Sequence, residues 1–150
     1  MKLTRILLIN TVIICTTFVN SFGQNLKKHK WNNRILIVKT LNQESKKYQD
    51  QIKEFNNSYK ELTARKFIIY KITGKNFIMK DYTNDTLNIS GVITKKLTDK
   101  VLNEKEDFEV ILIGLDGRVK LRQTEIVLKE DLNKIVDAMP MRRSELRKKL

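Results

Sequence analysis

Residues that usually carry covalent or metal chemistry are almost missing from this chain. One cysteine, one histidine, one tryptophan and one proline occur among 150 residues. The cysteine, Cys15, stands inside an apolar N-terminal stretch. Loss of that stretch would leave no thiol, no disulfide and no cysteine metal ligand. Neither a phosphate-cradling glycine loop nor a His/Asp/Glu cluster at metal-ligand spacing occurs, so no metal and no cofactor is expected. Trp, Tyr and Phe do not interleave with the basic residues as a single-strand binder would need, and nucleic acid is not an expected partner. Internal repeats and low-complexity tracts are also missing.

Positive charge is what the chain has in excess. Thirty Lys and Arg against seventeen Asp and Glu give a formal net charge of +13. A basic surface favours an anionic partner, either a protein face or an anionic envelope component. The plainer reading is a soluble, lysine-rich surface with no specific meaning. Residues 1–23 read as a signal peptide. Lys2 and Arg5 precede the apolar run Ile6 to Val19, and Ser21-Phe22-Gly23 puts small residues at a cleavage site before Gln24. An uncleaved anchor is the alternative. Cys15 follows Ile14 rather than a small residue, which argues against lipidation. The expected location is periplasmic or extracellular, with no stable membrane span after cleavage. The expected organisation is a polar lead-in over 24–33, one domain over 34–143 and a basic tail over 144–150.

Periodicity supplies the elements. Arg34 to Thr40, with the run ILIV, reads as a strand buried on both faces. Gln43 to Arg65 reads as one helix, with Tyr48, Ile52, Phe55, Tyr59 and Leu62 on a single stripe. Lys66 to Thr73 is a second strand, ended by Gly74. Residues 75–89 read as a loop that can hold a short hairpin. Ser90 is expected to cap a helix over Gly91 to Asn103, with Ile93, Leu97 and Val101 as its stripe. FEVILIGLDGRVKLR, Phe108 to Arg122, reads as a buried strand, a turn at Asp116-Gly117 and a half-exposed edge strand. A last helix is expected from Lys129 to Ala138, with Pro140 stopping or turning it. The order β-α-β-α-β-β-α predicts an α/β, thioredoxin-like fold, a central mixed sheet with helices on both faces. Helical segments separate the first three buried strands, which are therefore expected to run parallel.

Three landmarks stand together: Trp31-x-x-Arg34 leading into ILIV, the ILIGLDGRVKLR hairpin, and the closing Asp137-Ala138-Met139-Pro140-Met141-Arg142-Arg143. In combination they resemble a domain of unknown function with a thioredoxin- or peroxiredoxin-like fold, found in small secreted bacterial proteins. It is related to domains of animal sushi-repeat and coiled-coil-containing matrix proteins. The resemblance covers about residues 28–147 and rests most on the DAMPMRR string. It implies matrix or adhesion roles in the animal relatives, and no established catalysis.

The residues themselves point the same way. A thioredoxin-like enzyme needs a low-pKa thiolate where the first helix begins. Here that segment is Thr40-Leu41-Asn42-Gln43-Glu44-Ser45, with no cysteine, and the only proline is Pro140. A thiol oxidoreductase or peroxidase is therefore not expected, and no catalytic residue is assigned. Ser45 is read as a helix-start residue without a base, because His29 lies in a mobile lead-in. Glu104, Glu106, Asp107 and Glu109 are read as a solvated loop and strand start. Met139 and Met141 are read as packing residues rather than soft-metal ligands. Arg142 and Arg143 follow a helix end and admit two roles. Asp137 pairs with Arg34, Arg142 or Arg143 and pins the last helix, or the arginines form an anion or partner site near Trp31. The expected contact residues are Trp31, Arg34, Arg142 and Arg143. Asp116, Gly117, Asp137, Met139 and Pro140 are the expected structural motif. The expected function is binding or structural, with an enzyme of unrecognised type using carboxylates and arginines as the alternative.

Overall fold

Continuous apolar runs put two strands at the centre of the sheet. The structure is a computed structural model describing residues 26–84 and 88–148; the expected signal peptide at 1–23 lies outside the described residues. β1 (Arg34–Thr40) and β5 (Phe108–Ile113) are buried along their whole length, as the runs ILIV and VILI require. β2 (Phe67–Thr73), β3 (Asn76–Asp81) and β4 (Asn88–Val92) extend the sheet on one side, and β6 (Val119–Gln123) on the other. The strand order is β4-β3-β2-β1-β5-β6. β1 and β2 are parallel, and every other neighbouring pair is antiparallel.

Alternation along the central strands feeds two cores. Leu36, Val38, Ile69, Val110 and Leu112 face α1 (Lys46–Glu54), α2 (Tyr59–Ala64) and α4 (Lys129–Asp137), meeting Tyr48, Phe55, Leu62, Leu132 and Val136. Ile35, Ile37, Ile68, Tyr70 and Ile111 face the other way. They meet Leu97 of α3 (Lys95–Val101) and Leu26 of the short 3-10 turn Leu26–His29. The molecule is thus an α/β mixed sheet with helices on both faces, consistent with the thioredoxin-like class.

Several expectations need correction. The third buried strand, β5, runs antiparallel to β1. Residues 75–92 are consumed largely by β3 and β4, which leaves only the seven-residue α3 before β5. β4 runs parallel to β1, so it finishes at the end of the sheet where β5 begins, and β5 runs back antiparallel without a crossover to the far end. Ser90 and Gly91 lie in β4, and Thr94 is the residue that caps the following helix, its hydroxyl accepting from Leu97 N at 3.3 Å. The expected single helix over 43–65 is two. Asn57 takes a positive φ of 62° between α1 and α2, a conformation that asparagine tolerates better than most. Pro140 follows the end of α4 and also starts a helix that was not expected: α5 (Pro140–Arg147) carries it at its first turn, where no N–H is needed. Residues 144–147, read as tail, belong to α5.

Residues 26–33 of the lead-in are also ordered. His29 is buried against Tyr70, with Nε2 and the phenol oxygen sharing a hydrogen bond at 3.0 Å. Burial, helped by the charge of Lys28, pushes the imidazole down to about 4, against a smaller opposing pull from Asp81. An imidazole held below its unfolded value leaves the unfolded chain with the greater proton affinity. The stability it contributes is complete above pH 6.5 and drains away as pH falls towards 4. His29→Gln keeps a hydrogen-bonding partner for Tyr70 but does not titrate. Urea unfolding is expected to show wild type losing up to about 3 kcal/mol more than the variant across that window. Parallel losses in the two proteins would refute the assignment.

Candidate functional site at the start of the central strand

The three landmark segments meet where β1 begins. Trp31 N donates to the Leu115 carbonyl at 2.7 Å, which ties the lead-in to the β5–β6 turn. That turn depends on Gly117, whose φ of 76° suits glycine, and on Asp116, whose Oδ1 accepts from Arg118 N at 3.1 Å. A register shift in the β5–β6 pair falls at Lys120, and Lys120 Nζ donates to Asp116 Oδ2 at 2.7 Å. Trp31 itself is 58% exposed and has a φ of 70°. A bulky side chain in the left-handed region is a backbone outlier that its surroundings must hold in place. Lys30 Nζ sits 5.0 Å from the centre of the Trp31 ring.

Behind this rim lies a buried arginine network. Arg34 is 0% exposed, and its Nη1 donates to the Arg65 carbonyl at 2.8 Å and to Glu145 Oε2 at 3.3 Å. Arg142, 5% exposed, donates from Nη1 to the Ala64 carbonyl at 2.6 Å and to the same Glu145 oxygen at 3.2 Å. Its Nε reaches Asp137 Oδ1 at 3.3 Å. Arg65 grips Asp137 side-on, Nε to Oδ1 at 3.1 Å and Nη2 to Oδ2 at 2.6 Å. Lys66 Nζ lies 3.5 Å from Glu145 Oε1. Asp137 and Glu145 therefore join α4 and α5 to the α2–β2 junction.

Electrostatics follow from burial. Burial pulls the Arg34 guanidinium below its ordinary value, opposed by the charge and hydrogen bond of Glu145. Burial pushes the Asp137 and Glu145 carboxyls up, but the adjacent arginines outweigh it and both end below the usual carboxylate range. Beside the network is a cavity of about 160 Å³. Leu115, Met139, Pro140 and Met141 form its apolar wall; Arg34 and the Asp116–Lys120 pair complete it. Arg34 Nε and Nη2 are buried and have no hydrogen-bond partner among the described residues.

A family model described as a domain of unknown function (DUF4174) matches residues 25–145. The chain belongs to that family. No curated protein and no solved structure matches it. In this DUF4174 chain, Trp31, Arg34, Asp137 and the Met139-to-Arg143 segment come from opposite ends of the sequence to one end of the sheet. Arg143 is exposed and borders a shallow surface groove with Pro140, Leu146 and Arg147. Arg34 and Arg142 are enclosed, so contact with a large partner falls to Trp31 and Arg143.

The structural pairing expected of Asp137 is present with Arg142, and its stronger partner is Arg65, which sequence reading missed. Arg34 pairs with Glu145, also missed. Glu109, read as solvated, is buried: it accepts from Asn103 N at 2.7 Å and Arg122 Nη1 at 2.6 Å. Ser45 is a cap, its Oγ accepting from Tyr48 N at 3.3 Å. It sits at an open groove of about 580 Å³ at the other end of β1, where a thioredoxin-like thiol would stand.

Asp137→Ala leaves Arg65 and Arg142 without their shared carboxylate. A partly exposed bridge of this kind is expected to cost about 1–3 kcal/mol. The pairing also weakens as pH falls below the ordinary carboxylate values, because protonation removes the charge. An unchanged urea midpoint for Asp137→Ala at neutral pH would show that the bridge contributes nothing.

Proposed function

We propose that this domain is an exported, non-catalytic binding module whose partner docks at the Trp31 end of the sheet. The observation that carries the reading is Trp31. It is a large aromatic held exposed in a left-handed backbone conformation and flanked by Lys30. Exposed aromatics with basic neighbours are the usual anchors of interfaces. Met141 and Leu146 add exposed apolar surface on α5, and Arg143 and Arg147 add charge. A protein with an acidic face fits this mixture better than a bare anionic polymer, because the apolar anchors need something to pack against.

The state of the carboxylates supports binding over catalysis. General acids need a carboxyl raised towards neutrality. Asp137 and Glu145, the acids beside the arginines, are shifted the other way. Export rests on residues 1–23, whose charged start, apolar run and small-residue site fit a signal peptide.

Wild type and Trp31→Ala/Arg143→Glu, compared in pull-downs from cell-envelope extract, test the docking face. The double variant is expected to keep its circular dichroism spectrum and to lose the protein partner that wild type retains. Identical captured sets would overturn the proposal. Capture of glycan or lipid alone would replace the protein partner with an envelope component.

A further inference from the structure

We propose that the cavity beside Arg34 is a pocket for a monoanionic carboxylate on a short aliphatic stem. The inference rests on the binding reading above and gives its site a ligand chemistry.

The guanidinium offers its Nε–Nη2 edge to a carboxylate as two parallel N–H donors. This chain uses that edge once already, where Arg65 Nε and Nη2 hold both oxygens of Asp137 at 3.1 and 2.6 Å. On Arg34 the same two atoms are buried without a hydrogen-bond partner among the described residues, and Arg34 lines the cavity. Its Nη1 is engaged by Glu145 and the Arg65 carbonyl, which fixes the plane of the group. A buried, charged donor pair held in one orientation is a costly arrangement unless an acceptor meets it.

Local charge sets the valence of that acceptor. Lys120 and Asp116 cancel each other across their 2.7 Å bond. Glu145 is shared by Arg34, Arg142 and Lys66, and Asp137 by Arg65 and Arg142. Three arginines and a lysine thus face two carboxylates, and a monoanion reduces the excess. A phosphate dianion would have to lose more of its hydration against Leu115, Met139, Pro140 and Met141. Those same side chains favour a hydrocarbon stem behind the carboxylate. A volume of about 160 Å³ corresponds to roughly five waters at ~30 Å³ each, enough for such a group. The carboxylate can arrive as a free short-chain acid or as an acidic side chain of the docked protein.

Nitrogen-15 NMR of the arginine Nε–H groups in the whole protein reads the pocket directly. Butyrate is titrated against chloride at matched ionic strength, and N-acetylglutamate amide against both. The Arg34 Nε–H resonance is expected to shift saturably with a carboxylate and not with chloride. Equal, non-saturating shifts with all three would overturn the pocket. Glu145→Gln keeps Arg34 and removes the competing anion, so butyrate should bind at least threefold tighter; unchanged or weaker binding would overturn the placement on Arg34. Tighter binding of butyrate assigns the pocket to a free acid, and tighter binding of the glutamate amide to a partner side chain. If wild type retains a protein partner that Trp31→Ala/Arg143→Glu loses while no carboxylate shifts Arg34, the docking face stands and the pocket falls.

Discussion

A guanidinium buried at the first residue of the central strand governs this end of the molecule. Arg34 cannot be left there unmatched, because an unpaired buried charge costs several times what a paired one gains. Its match comes from far away in sequence: the carbonyl that ends the α2 turn, at Arg65, and Glu145 near the chain's C-terminus. The α2–β2 junction must present two carbonyls at once, Ala64 to Arg142 and Arg65 to Arg34, and Lys66 takes a positive φ of 56° directly after them. Removal of α5 would therefore take Glu145 from Arg34 and Lys66 together. The last helix acts as a clamp on the start of β1 more than as a cover for the core.

What was legible in sequence follows the same division between local and distant causes. β1, β5 and β6 declared themselves through apolar runs and alternation, and α4 through its stripe, because each signal lies within the element that it specifies. β3 was legible only as part of a short hairpin inside a loop, although it also alternates: Phe77, Met79 and Asp81 point inward. Ile78 obscured the period, since an isoleucine that is 57% exposed makes the outward row look apolar too. Ser90-Gly91 then passed for a helix start because serine caps and strand serines are identical without the pairing partner, here Ile78 and Phe77. Asp137–Arg142 could be suspected at five residues' separation. Arg65–Asp137 and Arg34–Glu145 span 72 and 111 residues, and nothing in a single basic sequence marks those partners.

The basic composition also reads differently with the fold in view. Part of the excess is internal: Arg34 and Arg142 are enclosed and spend their charge on carbonyls and two carboxylates. Another part is paired on the surface, as in Lys46–Asp50 and Lys47–Glu125, where solvent screening leaves little net energy. The cations that remain to meet a partner are a smaller set, among them Lys30 against the Trp31 ring and Arg143 on α5. Net charge alone would have spread the interaction over the whole surface.

The two ends of β1 differ in what their polar groups are doing. At the C-terminal end, where a redox member of this fold class would hold its thiol, Ser45 caps α1, and Lys39 donates to the Asn103 and Glu106 carbonyls. Glu109 is closed by Arg122 and the Asn103 amide. Each of these groups is consumed in holding loops in place, which is structural work. At the N-terminal end the balance is reversed. Arg34 retains two buried donors, Trp31 is exposed in a conformation that costs backbone energy, and both adjoin the β5–β6 turn through Leu115. Strain and unmatched polarity persist in a fold only where the rest of the structure over-determines them. In this chain the arginine clamp supplies that surplus, and it does so at the end of the strand opposite to the one where thiol chemistry would have been sought.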